Sequence, residues 1–427
     1  MSFHPFVAMI AGLLFAGSLS AREGANYDEA KVGTFELPDP LQPAGGAPVR
    51  SQADWLSHGR PATLALFEQH VFGKTPGGPM KLDFETLSVR KDALAGLATR
   101  RVIRIRLADV PAWTGIEMLV YTPNAATAPV PAFVGLNFGG NHTVSPETDI
   151  PLTTKSGSAA NPARGLAASR WPLELILKRG YGLATAYCGD VEPDHPAGWR
   201  DGLRGALTGP GKTTWGEGEW GALGAWAWGL SRMLDGLETL PEVDARHCAV
   251  IGHSRLGKTA LWAGAQDQRF ALVVSNNSGE GGAALKYRDF GETPAIITSS
   301  FPYWFTATYL RYGPAPRSCP VDQHQLLALV APRLLYVASA TDDRWADPQG
   351  EFLAAKSAGA VYALFGKTGV AVDTQPPPEH PVGDSIGYHL RTGKHDITAY
   401  DWKQYLDFAD RDWGGGGGGV ELHVATS

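Results

Sequence analysis

The sequence predicts a three-layer α/β/α sandwich around a mostly parallel central sheet, and three observations carry that prediction. Short continuous apolar runs at residues 132–136, 183–187, 249–251, 272–275 and 334–338 read as strands covered on both faces. Helix-like stretches at 171–179, 220–240 and 349–358 lie between them, the alternation that builds a doubly wound sheet. In Val250-Ile251-Gly252-His253-Ser254-Arg255-Leu256-Gly257-Lys258 an apolar run meets a helix-forming stretch, 259–266, through a Gly-flanked Ser. Such a strand-to-helix turn is a nucleophile elbow: it strains one residue so that its hydroxyl stands clear of the sheet. The spacing departs from G-x-S-x-G, because Leu256 stands where the second Gly belongs and Gly257 follows one residue later.

The elements follow in order along the chain. An apolar run at 6–15, small residues through Ser20 and Ala21, and then Arg22-Glu23 suit a signal peptide at 1–21 and a secreted or periplasmic address. Only His4 represents a positive leader, and no later run is long enough to span a bilayer. Leu64, Leu66, Phe67 and Val71 share one helical face, closed by Gly73 and Pro76-Gly77-Gly78, so a segment at 22–75 carries a helix packing outside the core. The catalytic domain then occupies 76–413. It opens with a half-exposed antiparallel pair, 102–107 with its alternating Ile103-Arg104-Ile105-Arg106 and 117–121, before the buried strands begin. A final helix near 399–410 precedes six glycines at 414–419, which read as a flexible tail, 414–427.

Composition narrows the function. With 44% hydrophobic residues and 13 Trp among 427, the chain can bury a large core, and the composition disfavours disorder. A net charge of −6 and no Lys/Arg block disfavour nucleic acid and anionic lipid as partners. Cys188, Cys248 and Cys319 are far apart and make no metal pattern; they read as buried free thiols, and neither metal nor cofactor is expected.

A Ser hydroxyl is too weakly acidic to attack at neutral pH without a base, and the base needs an orienting carboxylate. In this fold class the order is Ser, acid, His. His395, between the last strand-like stretch and the final helix, is the base; His389, its competitor, sits within strand-like 386–390. Asp342 or Asp343 stands at the C-terminal end of the 334–338 run, where α/β sites are built. Arg255 offers a backbone N–H and a permanent charge to a developing oxyanion, and Lys258, one helical turn beyond Ser254, faces the same way. The loop Gly135-Leu136-Asn137-Phe138-Gly139-Gly140-Asn141-His142 could bring further backbone donors.

Gly-x-Ser-Arg-x-Gly-Lys at 252–258, the loop Leu136-Asn137-Phe138-Gly139-Gly140-Asn141-His142-Thr143 and Gly393-Lys394-His395-Asp396 together resemble the bacterial glucuronoyl esterases, carbohydrate esterase family 15, across about 61–413. The resemblance implies an α/β-hydrolase fold and cleavage of the ester joining 4-O-methyl-glucuronic acid on xylan to lignin alcohols. It also implies that Ser254 forms an acyl-enzyme, Arg255 stabilises its oxyanion, Lys258 holds sugar hydroxyls, and Glu292 and Trp345 contact the uronic acid. Many members take the acid from a Glu-Ser-Gly run, whereas this chain has Asn276-Asn277-Ser278-Gly279, with Asn277 in that place. An amide cannot stabilise an imidazolium as a carboxylate does. The acid therefore shifts to Asp343, which resembles the alternative acid of some bacterial members, with Glu280 as fallback. Fungal members carry Cys beside both Ser and His; His253 and Asp396 stand here, so that disulfide is absent.

The expectation is a monomeric serine esterase acting on plant cell-wall polysaccharide. An acetylxylan esterase with the same triad is the rival within the class, and an inactive carbohydrate-binding protein the rival outside it.

Overall fold

The computed structural model describes residues 24–77, 80–153, 163–209 and 211–414. The signal-peptide expectation and all of the Gly-rich tail beyond Gly414 therefore lie outside the described residues. A nine-stranded sheet forms the middle layer in the order β1-β2-β3-β5-β4-β6-β7-β8-β9. Its strands are β1 (Leu82–Ala93), β2 (Ala98–Leu107), β3 (Ile116–Pro123), β4 (Val130–Asn137), β5 (Gly182–Tyr187), β6 (Val243–His253), β7 (Leu272–Asn276), β8 (Leu334–Ala340) and β9 (Ile386–Arg391). β1, β2, β3 and β5 pair antiparallel, and every pair from β5 through β4 to β9 is parallel. This is the α/β-hydrolase arrangement that the buried apolar runs imply.

Among the described residues, α1 (Arg60–Phe67) belongs to the N-terminal segment, and the outer layers include α2 (Leu173–Lys178), α3 (Ala222–Leu237), α4 (Arg255–Gln266), α5 (Gln323–Ala328), α6 (Pro348–Ala363) and α7 (Ala399–Trp413). On one face Trp226 of α3, Trp262 of α4, Leu326 of α5 and Phe352 of α6 join a single apolar cluster with β-strand side chains such as Val134, Val250 and Val337. On the other face Leu173 and Ile176 of α2 pack with Trp402 and Tyr405 of α7 over Phe133, Ile251 and Val274. Successive strand residues point to opposite faces, so one run of Val and Ile feeds both clusters.

Two expectations need correction. The N-terminal helix does not pack outside the core: Trp55, Phe67, Val71 and Phe72 are fully buried, and Phe72 stacks on Trp262 with centroids 4.5 Å apart. The helical path runs from Gln52 to Phe72, with α1 flanked by two wider turns, and so brings more aromatic area inward than the 64–71 face alone reveals. The sheet also begins one strand earlier than the 102–107 run. β1 is an edge strand whose side chains are mostly exposed, and Arg90-Lys91-Asp92 near its end hides it from an apolar-pattern reading. No helix among the described residues is long and apolar enough to cross a membrane.

Candidate active site

β6 ends at His253 and α4 begins at Arg255, leaving Ser254 alone at the corner with φ 58° and ψ −130°. That is a strained conformation for a residue with a side chain, and the surroundings enforce it. The Ser254 N–H donates to Asn276 O at 2.9 Å, and its carbonyl accepts from Gly257 N at 2.8 Å. Gly252 is obligatory: a Cβ there would lie 1.9 Å from the Leu256 carbonyl oxygen. Gly257 takes the place of the missing second Gly, its would-be Cβ only 3.0 Å from Gly252 O and Ser278 Cβ. The displaced glycine therefore serves the same close approach as the usual spacing.

His395 lies in the loop between β9 and α7, and its Nδ1 is 2.6 Å from Asp343 Oδ2. Its ring packs against that of His253, the residue before Ser254, with centroids 4.5 Å apart. Asp343 is buried and sits just past β8. The main chain ties acid and base loops together: Thr341 N donates to Arg391 O and Asp342 N to Gly393 O, both at 2.9 Å. Asp342 is exposed and its Oδ1 accepts from the Thr341 hydroxyl, so it turns away from the imidazole. His389, the competing base, is buried on β9 between Asp401 and the Tyr336 hydroxyl. Glu280, the fallback acid, faces elsewhere: it accepts from the Tyr309 hydroxyl in the core, and burial pushes its carboxyl up to about 8.

Arg255 opens α4 with its guanidinium in an aromatic box, its carbon 4.8 Å from the Trp304 centroid, 5.5 Å from Phe301 and 5.8 Å from Phe138. One terminal nitrogen donates to Asp194 Oδ2. The other Asp194 oxygen accepts from the Tyr303 hydroxyl and the Trp304 indole, each at 2.8 Å. Arg255 Nε is buried with no hydrogen-bond partner among the described residues. The loop after β4 contributes less than expected. Gly140 N donates to Asn137 Oδ1 at 2.8 Å and is thus satisfied within the loop, which offers Phe138 as a wall instead of that N–H.

Lys258 is buried, with Nζ on Ser278 O at 2.5 Å and 3.7 Å from Glu292 Oε2. Burial pulls the ammonium down and pushes the Glu292 carboxyl up, and each opposes the other's neutralisation. Glu292 N donates to Trp345 O at 2.9 Å, which joins the glutamate's loop to the loop bearing Asp343 and Trp345. Ser254, the His395–Asp343 pair, Arg255 and the group of Lys258, Glu292 and Trp345 thus stand on segments at or beyond the C-terminal ends of β6 to β9. Among the described residues no group of three or more His, Cys, Asp or Glu is arranged to hold a metal.

The family description "Glucuronyl esterase, fungi" matches residues 213–366. A curated carbohydrate esterase from an unknown prokaryotic organism is 45% identical over 406 residues, which is 92% of this chain and 93% of that relative. The chain belongs to the glucuronoyl esterases, carbohydrate esterase family 15. The solved glucuronoyl esterase from Solibacter usitatus is 48% identical to it, with a TM-score of 0.86 over 91% of this esterase and 100% of that chain. A 4-O-methyl-glucuronoyl methylesterase of Cerrena unicolor is 30% identical over 80% of this chain, which spans 63% of that relative's length.

This esterase, a carboxylic ester hydrolase, also carries residues that sequence reasoning missed. Asp194 was invisible because it lies in an irregular segment after β5, and its link to Arg255 spans 61 positions. Glu351 of α6 is fully buried behind the acid loop, bonded to Gly279 N at 3.0 Å and 2.6 Å from Ser339 Oγ. Burial raises its carboxyl to about 8, so it is mostly neutral at pH 7. The three cysteines are free and buried.

Proposed function

We propose that the enzyme hydrolyses the ester between (4-O-methyl-)glucuronic acid of glucuronoxylan and lignin alcohols through an acyl-enzyme, and that it acts outside the cytoplasm. His395 Nε2 takes the Ser254 Oγ proton while Nδ1–H donates to Asp343, which stabilises the imidazolium as the alkoxide attacks the ester carbonyl. The negative charge gathers at the Arg255 backbone N–H and guanidinium. His395 then protonates the departing alcohol. Water, deprotonated by the same imidazole, attacks the acyl carbon and releases the uronate. Lys258, Glu292 and Trp345 hold the sugar ring: an ammonium, a carboxylate and an indole give donors, acceptors and an apolar face for a polyol.

The observation that carries this reading is the 2.6 Å contact between His395 and Asp343, set against the residue that precedes Ser254. Hydrolysis of a uronoyl ester leaves the new carboxylate on the sugar, where Arg255 and Lys258 supply cations to meet it, whereas hydrolysis of an acetyl ester leaves the sugar neutral and the charge on free acetate. Benzyl glucuronate, methyl galacturonate and acetylated xylan, compared on the purified enzyme, test the substrate class. The expected order places the glucuronate ester first; ready cleavage of acetylated xylan with benzyl glucuronate untouched would reject it. Asp343→Asn is expected to lower kcat by about 10⁴-fold through the wrong imidazole tautomer.

A further inference from the structure

We infer that Asn277 is a positioning residue for the acid–base pair: its amide clamps the Asp343 carboxylate in the orientation that receives His395 Nδ1–H. This rests on the reading of Asp343 as the acid. Asn277 Nδ2 donates to Asp343 Oδ2 at 2.8 Å, and the same oxygen lies 2.6 Å from His395 Nδ1. A carboxylate oxygen has two lone pairs, and here one serves the imidazole from the pocket side while the other serves the amide from the interior.

Three features show that this contact is built into the fold. Asn277 follows β7 directly, and its N–H donates to Ala338 O of β8 at 2.8 Å, so its main chain is pinned to the strand that leads into the acid loop. Its φ is 46°, in the left-handed region where Asn is among the better tolerated side chains. Its Oδ1 is buried with no hydrogen-bond partner among the described residues. A buried carbonyl without a partner is destabilising, and flipping the amide would turn that oxygen onto the Asp343 carboxylate, acceptor against acceptor. The orientation is therefore fixed by the acid, and an unpartnered oxygen is tolerated in return for a donor aimed at it.

The amide also matches its electrostatic setting. Asp343 and His395 are faced by His253 from β6, by Glu292 from the sugar side and by Glu351 from α6, the last bonded to Gly279 N two residues beyond Asn277. Two carboxyl groups already stand close to Asp343 or its imidazole. A neutral donor at 277 strengthens the ionised acid, whereas a carboxylate at that position would compete with it for the imidazolium.

The test uses the full chain with benzyl glucuronate, measuring kcat and KM from pH 5 to 8 together with the thermal midpoint and near-UV circular dichroism. Asn277→Gly accepts the positive φ and removes the donor; the expected result is a loss of about tenfold in kcat with KM within about twofold. Asn277→Asp keeps volume and backbone preference; the expected result is a lower kcat and an acid limb of kcat/KM moved up by about one pH unit, because the added charge retains the imidazolium proton. A purely structural role would lower the midpoint without moving that limb. If Asn277→Gly does not fold, the acid limb of Asn277→Asp decides alone. Asp343→Asn separates the two levels. Inactive Asp343→Asn beside folded Asn277 variants with wild-type kcat and limb overturns this inference alone; fully active Asp343→Asn overturns the acid assignment and the inference with it.

Discussion

At the scale of single residues, the site is a set of cations and carboxylates whose partners fix their direction. Arg255 would be a poor oxyanion ligand if its guanidinium were free to wander, since a mobile side chain loses conformational entropy when it docks. Asp194 removes that freedom from one side, and Tyr303 and Trp304 hold Asp194 in turn. Asp194→Asn keeps the shape and discards the charge; kcat is expected to fall about tenfold with a smaller change in KM, read from steady-state kinetics on benzyl glucuronate. Lys258→Met should do the opposite, raising KM about tenfold with kcat little changed, the outcome expected if the ammonium holds the sugar as proposed, in ground state and transition state alike. Local pattern alone singled out Ser254, His395, Arg255 and Lys258 as candidates. It left Asp342 and Asp343 open, because neighbours in a loop differ only in which way the chain turns, and Asp194 carried no local signal at all.

At the scale of elements, the elbow and the N-terminal segment set the geometry. Gly252→Ala would drive a methyl into the Leu256 carbonyl, so the strand-to-helix corner cannot close. The expected outcome is loss of soluble enzyme or of all esterase activity, against little effect from Ala at Gly359, where a Cβ meets nothing within 4 Å. The segment before α1 reaches across to both sugar-side loops: Asn26 O accepts from Gly291 N at 2.8 Å, and Tyr27 O accepts from Arg344. Arg288 joins Glu29 to Asp347, the N-cap of α6. Burial raises Asp347 to about 6 even with that guanidinium beside it. Arg288→Met leaves a buried carboxylate without its cation and is expected to cost about 3–5 kcal/mol at pH 8, measured by urea unfolding. The loss should shrink at pH 5, where Asp347 takes up a proton. The sheet's buried strands were legible because runs of Val, Ile and Leu have few other uses. β1 was not, since an edge strand with charged side chains looks like a loop.

At the scale of the whole molecule, one apolar cluster runs from Val49 and Trp55 to Tyr388 and Leu390. The boundary drawn at residue 76 from sequence therefore does not follow a seam in the packing, and a chain starting at 76 is expected to unfold or aggregate when its circular dichroism is measured. Stability should also depend on pH in a stated direction. Glu280 and Glu351 are raised to about 8 in the fold from an ordinary value of 4.5. Between those values the folded protein binds more protons than the unfolded chain, so stability falls as pH rises through this window. The thermal midpoint is expected to decline from pH 5 to pH 8, and Glu351→Gln should flatten part of that slope; an equally steep slope in the variant would remove Glu351 as a contributor.

The lattice of hydrogen bonds between β8 and β9 does not stop where the strands do. Through Thr341–Arg391 and Asp342–Gly393 it carries on into the two loops, so carboxylate and imidazole travel as passengers on a single two-stranded rail at the rim of the sheet. A displacement of that rim is expected to carry both side chains together, so that the His395–Asp343 contact outlasts a change in how either stands to Ser254.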